Sequence, residues 1–358
     1  MRAVILEAFG SKLSVKEVEP LRPQSSQVTV KIGASGVCHS DLSMARGQYP
    51  IAVPLIAGHE GAGVVIEVGA GARRFKTGDR VIASFTPACG ECWHCNRDRT
   101  YLCESTAAYT PFTRGSVTGQ ELPPQHLLGT MAEFMTVHED FLVKVQTDLP
   151  DEQLALIGCG VTTGLGASLW TARVTPGSRV AVFGAGGVGI AAIQGARIAG
   201  ATEIIAVDPA PAKKAMALSF GATHFVDPTT HDPVEQIRAL TGGRGVDYSI
   251  EIVGNIDVMR QAYFATSMGG TTCFVGAVKS DAVFTLPANE IHRDAKTIVG
   301  CNYGSAQVRK DFAKIISLIE TGRLDLGGMI SRRYPLQGIN DAFEAMDAGQ
   351  VVRSILVP

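Results

Sequence analysis

From Arg179 onward, short apolar runs alternate with helix-period runs. Arg179–Phe183, Glu203–Val207, His224–Val226, Tyr248–Ile252, Thr271–Val275 and Thr297–Gly300 read as strands, and Gly187–Ala199, Ala210–Phe220, Val234–Leu240 and Val308–Glu320 as helices. A parallel neighbour strand is reached only by a long crossover, which a helix fills, so this rhythm predicts a doubly wound parallel α/β sheet. The first strand and first helix are joined by Gly184-Ala185-Gly186-Gly187-Val188-Gly189. In that context the first glycine makes a tight turn, the second lets the backbone approach a pyrophosphate, and the third lets helix and strand pack closely; helix amides then face the phosphates. Asp208 ends the next strand about 20 residues past the glycines, where a carboxylate suits both hydroxyls of an adenosine ribose and repels a 2′-phosphate. The cofactor expected is therefore NAD rather than NADP.

The first half has a different texture. Gln27–Gly33, Gly63–Val68, Arg80–Ser84 and Ala132–Val137 are short strand-like runs broken by Gly and Pro, with little helix, as in an irregular β domain. The opening MRAVILEAFGSKLSVKEVE alternates apolar and polar residues and reads as a first strand rather than a signal peptide. Within this half Cys89, Cys92, Cys95 and Cys103 supply four thiolates in fifteen residues, enough to close a tetrahedral Zn²⁺ site without a water ligand. The intervening Gly90, Glu91, Trp93, His94 and Asn96 offer too little apolar surface to fold by burial, so the metal supplies the folding energy. His94 lies inside the lobe, but four cysteines already fill the coordination sphere.

At 358 residues, 46% apolar and 18% charged, the chain is long enough for two domains and too ordinary to be disordered. A net charge of −2 with both signs interspersed recommends neither nucleic acid nor a membrane surface, and points to a small-molecule partner. No apolar stretch reads as long enough to span a bilayer, which with the cysteine usage predicts a reducing, cytoplasmic setting. No Pro-rich or Ser-rich linker separates the halves, so two closely packed domains with a cleft between them are expected.

Cys38 in Gly36-Val37-Cys38-His39-Ser40-Asp41, His59 in Gly58-His59-Glu60-Gly61-Ala62-Gly63, and Cys159 in Gly158-Cys159-Gly160 each set a metal-capable side chain among glycines. Two thiolates and one imidazole leave a fourth position open on a tetrahedral zinc. Taken singly these are weak signals, since a lone Cys is more often a buried small hydrophobe. Taken in order, G-V-C-H-S-D, G-H-E-G-A-G-V-V, the cysteine lobe, G-C-G-V-T-T-G and G-A-G-G-V-G resemble the zinc-containing alcohol dehydrogenases of the medium-chain dehydrogenase/reductase family over nearly the whole chain.

The resemblance implies a GroES-like catalytic domain at 1–160 and 303–358, with Ser354–Val357 returning to the first domain, and a Rossmann cofactor domain at 161–302. It implies Cys38, His59 and Cys159 as ligands of a catalytic zinc, Glu60 as its acidic neighbour, Asp41 as the carboxylate holding the ligand imidazole, and Ser40 as a proton relay. Where a relay histidine is common, Ser43 stands here. For the cofactor it implies Gly184, Gly186, Gly187 and Gly189 at the pyrophosphate turn, Asp208 and Lys213 on the ribose, Arg353 and His39 near the phosphates, and Thr163, Val188, Val275 and Ala277 beside the nicotinamide ring. Phe85 matches a wall of the substrate pocket.

The implied reaction is reversible hydride transfer between a primary or benzylic alcohol and NAD, through an alkoxide on zinc, with two zinc ions per chain. S-(hydroxymethyl)glutathione dehydrogenase is one alternative, weakened by Ala107 where that subfamily has an arginine. A bacterial relative with tightly held NAD and an external electron acceptor is another. The long segment between Cys103 and Leu128 favours a homodimer over a tetramer, with the cofactor domains pairing. Cys273 and Cys301 read as buried packing residues, and His126, His138, His224, His231 and His292 as surface residues.

Overall fold

The computed structural model describes residues 1–48, 51–105, 128–279 and 281–358, together with the backbone of two short paired strands, Gly115–Val117 and Gln120–Leu122. Ala107, His126 and the length of the Cys103–Leu128 connection lie outside the described residues. The chain divides into two compact units, one of Met1–Cys159 with Gln307–Pro358 and one of Gly160–Ala306.

In the first unit Gln27–Val37 is the central strand. It pairs antiparallel with Gly61–Val68, Phe134–His138 and Arg353–Leu356, and the last of these pairs parallel with Ile330–Tyr334. Val28 and Val30 are fully buried among Val65, Val81, Met135, Val137 and Phe141, so β-branched residues on one face of the sheet build its core. The expected return of the chain's last strand occurs here, with Ile355 opposite Gly36. A second sheet joins Ser14–Glu17, Arg2–Leu6 and Leu55–Ile56, and its Val4 and Leu6 pack on Leu42, Ile339 and Phe343.

The second unit is a six-stranded, wholly parallel sheet in the order His224–Val226, Glu203–Val207, Arg179–Phe183, Val246–Glu251, Thr266–Phe274, Thr297–Gly300. Strand order reverses between Arg179–Phe183 and Val246–Glu251, and doubly wound sheets bind ligands at the carboxyl ends of such strands. Helices cover the sheet where their caps allow. Asp232 accepts from Val234 and Glu235 N–H ahead of Pro233–Leu240, and Asn255 accepts from Asp257 and Val258 N–H ahead of Ile256–Ala265.

One expectation is corrected. Asp151–Thr171 is a continuous 21-residue helical run apolar enough, by length and composition, to cross a membrane. Its most apolar window is 72% buried, as befits a core helix of a folded protein. The glycines inside it disguise it in the sequence, and two of its turns, Ile157–Val161 and Ala167–Thr171, widen to π geometry. Cys273 and Cys301 are both buried, as expected.

Candidate metal centres and dinucleotide turn

Cys38 follows the central strand and caps the helix His39–Ala45. Asp41, in that helix's first turn, accepts the Cys38 N–H on Oδ2 at 2.8 Å, while its Oδ1 lies 2.8 Å from His59 Nδ1. Both side chains are buried, so one carboxylate fixes the helix entry and the imidazole together. With Nδ1 occupied, Nε2 is the nitrogen left for a ligand. Cys159 enters from the π turn Ile157–Val161, where a Cβ on Gly158 would stand 2.8 Å from the Ala83 carbonyl oxygen. That glycine lets the turn approach the sheet.

One ligand atom each from Cys38, His59, Glu60 and Cys159 fall within 4.8 Å of one another. All four residues are buried. Cys159 lowers the Cys38 pKa well below its ordinary value, helped by His59 against burial, and Cys38 in turn holds Cys159 well above its own. Burial disfavours charge on His59, yet Asp41 and Cys38 together keep its pKa well above the usual imidazole range. Burial lifts Glu60 to about 7 against the pull of Arg353, whose Nη2 is bonded to Glu60 Oε2. Competing soft and borderline donors packed this closely, sharing protons, fit a divalent zinc that would displace those protons. Arg353 is thus seated, 4% exposed, on Glu60. A Cβ on Gly36 would overlap Glu60 Oε2, so only glycine leaves room for the pair.

Ser40 Oγ is 3.7 Å from Cys38 Sγ, and Ser43 Oγ is 3.4 Å from His39 Nδ1. His39 itself is exposed. Phe85 meets the His59 ring edge-on, with centroids 5.9 Å apart.

The lobe brings the Cys89, Cys92, Cys95 and Cys103 sulfurs within 4.8 Å of one another. Cys89 Sγ accepts N–H bonds from Glu91 at 3.5 Å and Cys92 at 3.4 Å, and Cys92 Sγ accepts from Cys95 at 3.4 Å, the wrapping a thiolate requires. Burial raises the Cys89 pKa, but the Ser105 hydroxyl and these amides outweigh it and bring the thiol to about 6. Lys310 ties the lobe to the helix Val308–Glu320 through Asp98 at 2.8 Å. His94 is outside the four-sulfur group and lies 3.6 Å from Glu104.

In the second unit Gly184 adopts φ +103°, and a Cβ on Gly189 would overlap the Gly184 carbonyl oxygen. A Cβ on Gly186 would meet nothing within 4 Å. The turn is therefore tight on its inner side and open on its outer side, as a phosphate cradle must be. Asp208 Oδ2 accepts the Ala185 N–H at 2.8 Å and the Lys213 ammonium at 3.0 Å, and Oδ1 accepts the Ala210 N–H at 2.9 Å. It braces the turn as well as ending its strand. Gly187 and Val188 open the helix Gly187–Ile198. Thr163 is half-buried on a helix whose Gly164 abuts the Val188 carbonyl, and Val275 and Ala277 follow the strand Thr266–Phe274. The sequence sets Gly36 and Gly158 beside the candidate ligands, but what each one makes room for, Glu60 and the Ala83 carbonyl, is visible only in the fold.

Residues 24–147 match the alcohol dehydrogenase GroES-like domain and residues 187–321 the zinc-binding dehydrogenase domain. An S-(hydroxymethyl)glutathione dehydrogenase of Synechocystis is 37% identical over 99% of both chains. An alcohol dehydrogenase B of Mycobacterium tuberculosis is 37% identical over 99% of this chain and 97% of that protein. Among solved structures, benzyl alcohol dehydrogenase from Acinetobacter calcoaceticus superposes with a TM-score of 0.93 at 29% identity, covering 99% of this chain and 98% of that one. An alcohol dehydrogenase zinc-binding domain protein from Burkholderia ambifaria gives 0.94 at 34% identity, covering 100% and 98%.

Proposed function

The chain belongs to the zinc-dependent alcohol dehydrogenases of the medium-chain dehydrogenase/reductase family, and from that premise we propose that it moves a hydride reversibly between a primary or benzylic alcohol and NAD. The observation that carries this reading is the buried group of Cys38, His59, Glu60 and Cys159, with their donor atoms within 4.8 Å and the imidazole steered by Asp41. Cys38, His59 and Cys159 hold the reactive zinc, and the four-cysteine lobe holds a structural one. Bound zinc supplies Lewis acidity that lowers the alcohol's pKa, and NAD supplies the hydride acceptor.

The chain's own residues do the rest. Asp41 keeps the proton of His59 on Nδ1, so that Nε2 presents a lone pair. Ser40 Oγ takes the alcohol proton and passes it outward, toward Ser43 and His39, whose Oγ and Nδ1 are 3.4 Å apart. Arg353 neutralises Glu60 and so limits the negative charge beside the two thiolates. Phe85, edge-on to the ligand imidazole, is an apolar wall that suits a hydrophobic or benzylic tail. Asp208 selects the unphosphorylated ribose, with Lys213 beside it. Gly184, Gly186, Gly187 and Gly189 receive the pyrophosphate, while Thr163, Val188, Val275 and Ala277 border the nicotinamide ring.

The open sheet edge at Thr297–Gly300, with Ile298 39% exposed, supports a homodimer. Eight free cysteines suit the reducing cytoplasm. The 37% identical Synechocystis relative favours a second reading, oxidation of S-(hydroxymethyl)glutathione. The test is zinc content per chain together with NAD reduction on a panel of aliphatic and benzylic alcohols and S-(hydroxymethyl)glutathione. Two zinc ions, turnover of the simple alcohols and loss of turnover in Cys38→Ala are expected. One zinc and no turnover refutes the proposal, and turnover of the glutathione adduct alone shifts it to the second reading.

A further inference from the structure

Glu251 ends the strand Val246–Glu251 opposite Phe183, at the reversal of strand order, and is 0% exposed. Its surroundings offer amides rather than a cation. Oε1 accepts the Gly254 N–H at 2.7 Å, and its backbone carbonyl accepts the N–H groups of Val275 at 2.8 Å and Gly276 at 3.2 Å. Burial pushes its pKa up, against the amides of Gly254, Val253, Asn255 and Gly276, which pull it down. Oε2 is buried with no hydrogen-bond partner.

One residue thus grips two loops, Val253–Asn255 and Val275–Ala277. The loops also interlock. Gly254 has φ +74°, a Cβ on it would overlap the Ala277 carbonyl oxygen, and a Cβ on Gly276 would overlap the Gly254 nitrogen. Val253 remains 54% exposed, and its Cγ2 stands 3.1 Å from where a Cβ on Gly184 would lie. An apolar side chain is therefore left open beside the first glycine of the phosphate turn. A buried carboxylate with an unpartnered oxygen is a net cost to the folded protein. Such a cost at the carboxyl end of a switch-point strand points to a benefit realised on binding.

We propose that Glu251 is a positioning residue for the dinucleotide. It sets Val253–Asn255 and Val275–Ala277 against the glycine turn through the Gly254 N–H and its own carbonyl, without touching the cofactor. This rests on the NAD reading above. What matters on this account is the reach of the acceptor, not the charge.

Glu251→Asp keeps the charge but withdraws the acceptor by one methylene, and Glu251→Gln keeps the reach but drops the charge. NADH binding to the purified zinc enzyme, followed by the blue shift and intensity of bound-NADH fluorescence, separates them. Glu251→Asp is expected to bind about tenfold more weakly, the loss of one buried hydrogen bond, with a diminished shift and a raised KM for NAD at unchanged alcohol KM. Glu251→Gln is expected to bind within about threefold of wild type, since Gln retains an acceptor oxygen at the same reach. Wild-type binding in both variants overturns the proposal. So does the reverse pattern, or equal losses that track equal drops in Tm. A wild-type enzyme that binds no NADH defeats the NAD reading itself, and the inference with it.

Discussion

Replacing Asp41 by Asn removes no heavy atom but asks one side chain to do something it cannot. Both carboxylate oxygens are acceptors, Oδ1 toward His59 Nδ1 and Oδ2 toward Cys38 N–H, each at 2.8 Å and both buried. Asn has one oxygen and one NH₂. If the oxygen keeps the Cys38 amide, the NH₂ faces Nδ1, the imidazole proton moves to Nε2, and the ligand lone pair is gone. If the oxygen keeps His59, the NH₂ meets the Cys38 N–H, and the helix His39–Ala45 loses its cap at about 1–3 kcal/mol. Either way a group that orients a ligand fails. The expected loss is about 10–100-fold in zinc affinity, or roughly 1.4–2.7 kcal/mol. The assay is competition with a chromophoric chelator, reading zinc released per chain. The lobe serves as an internal control, because Asp41 is not part of it. One zinc should leave early and the other at its wild-type chelator concentration. Release of the first zinc at the wild-type concentration, or simultaneous release of both, would refute the reasoning.

Two further outcomes follow from the same geometry. In zinc-stripped protein the Glu60 carboxyl, at about 7 against an ordinary 4.5, keeps a proton when folded that the unfolded chain has lost between those values. Stability therefore falls as pH rises through that window, by on the order of 3 kcal/mol in total. Thermal melts from pH 4.5 to 7.5 should show that slope and Glu60→Gln should flatten it; an unchanged slope in the variant excludes Glu60 as its source. Gly189→Ala drives a methyl into the Gly184 carbonyl and should cost about 1–3 kcal/mol of stability as the helix shifts. NADH titration should show weaker binding with zinc content unchanged, and wild-type affinity would mean that the turn tolerates the methyl.

The doubly wound unit was the most legible part of the sequence. Buried parallel strands are continuous apolar runs between breakers, so Arg179–Phe183 and Glu203–Val207 have the bounds their composition suggests, and the edge strands His224–Val226 and Thr297–Gly300 keep enough β-branched and aromatic residues to be read as well. Ile330–Tyr334 escaped notice because Ser331, Arg332 and Arg333 are exposed on an edge strand and leave no alternation to read. The helical run Asp151–Thr171 was hidden by Gly158, Gly160, Gly164 and Gly166, which argue against helix locally. Tertiary contact overrides them: Gly164 abuts the Val188 carbonyl and Gly166 abuts Gly304. At the candidate site, Cys38, His59 and Cys159 are too far apart in sequence for spacing to join them, so only their motifs in combination suggested one group. The seating of Arg353 on Glu60 could not be read at all, because it depends on which strand residue 353 joins.

That strand has a consequence for synthesis. The central strand Gln27–Val37 acquires Arg353–Leu356 as a neighbour only after the whole second unit has been made. At about 5–20 residues per second, the guanidinium that neutralises Glu60 leaves the ribosome roughly 10–40 s after Cys159. Until then a nascent chain carries the thiols, the imidazole and an uncompensated carboxylate on an unfinished sheet. The second unit is one uninterrupted stretch and meets no such wait. The cation that seats on Glu60 is therefore the last member of this buried group to be made.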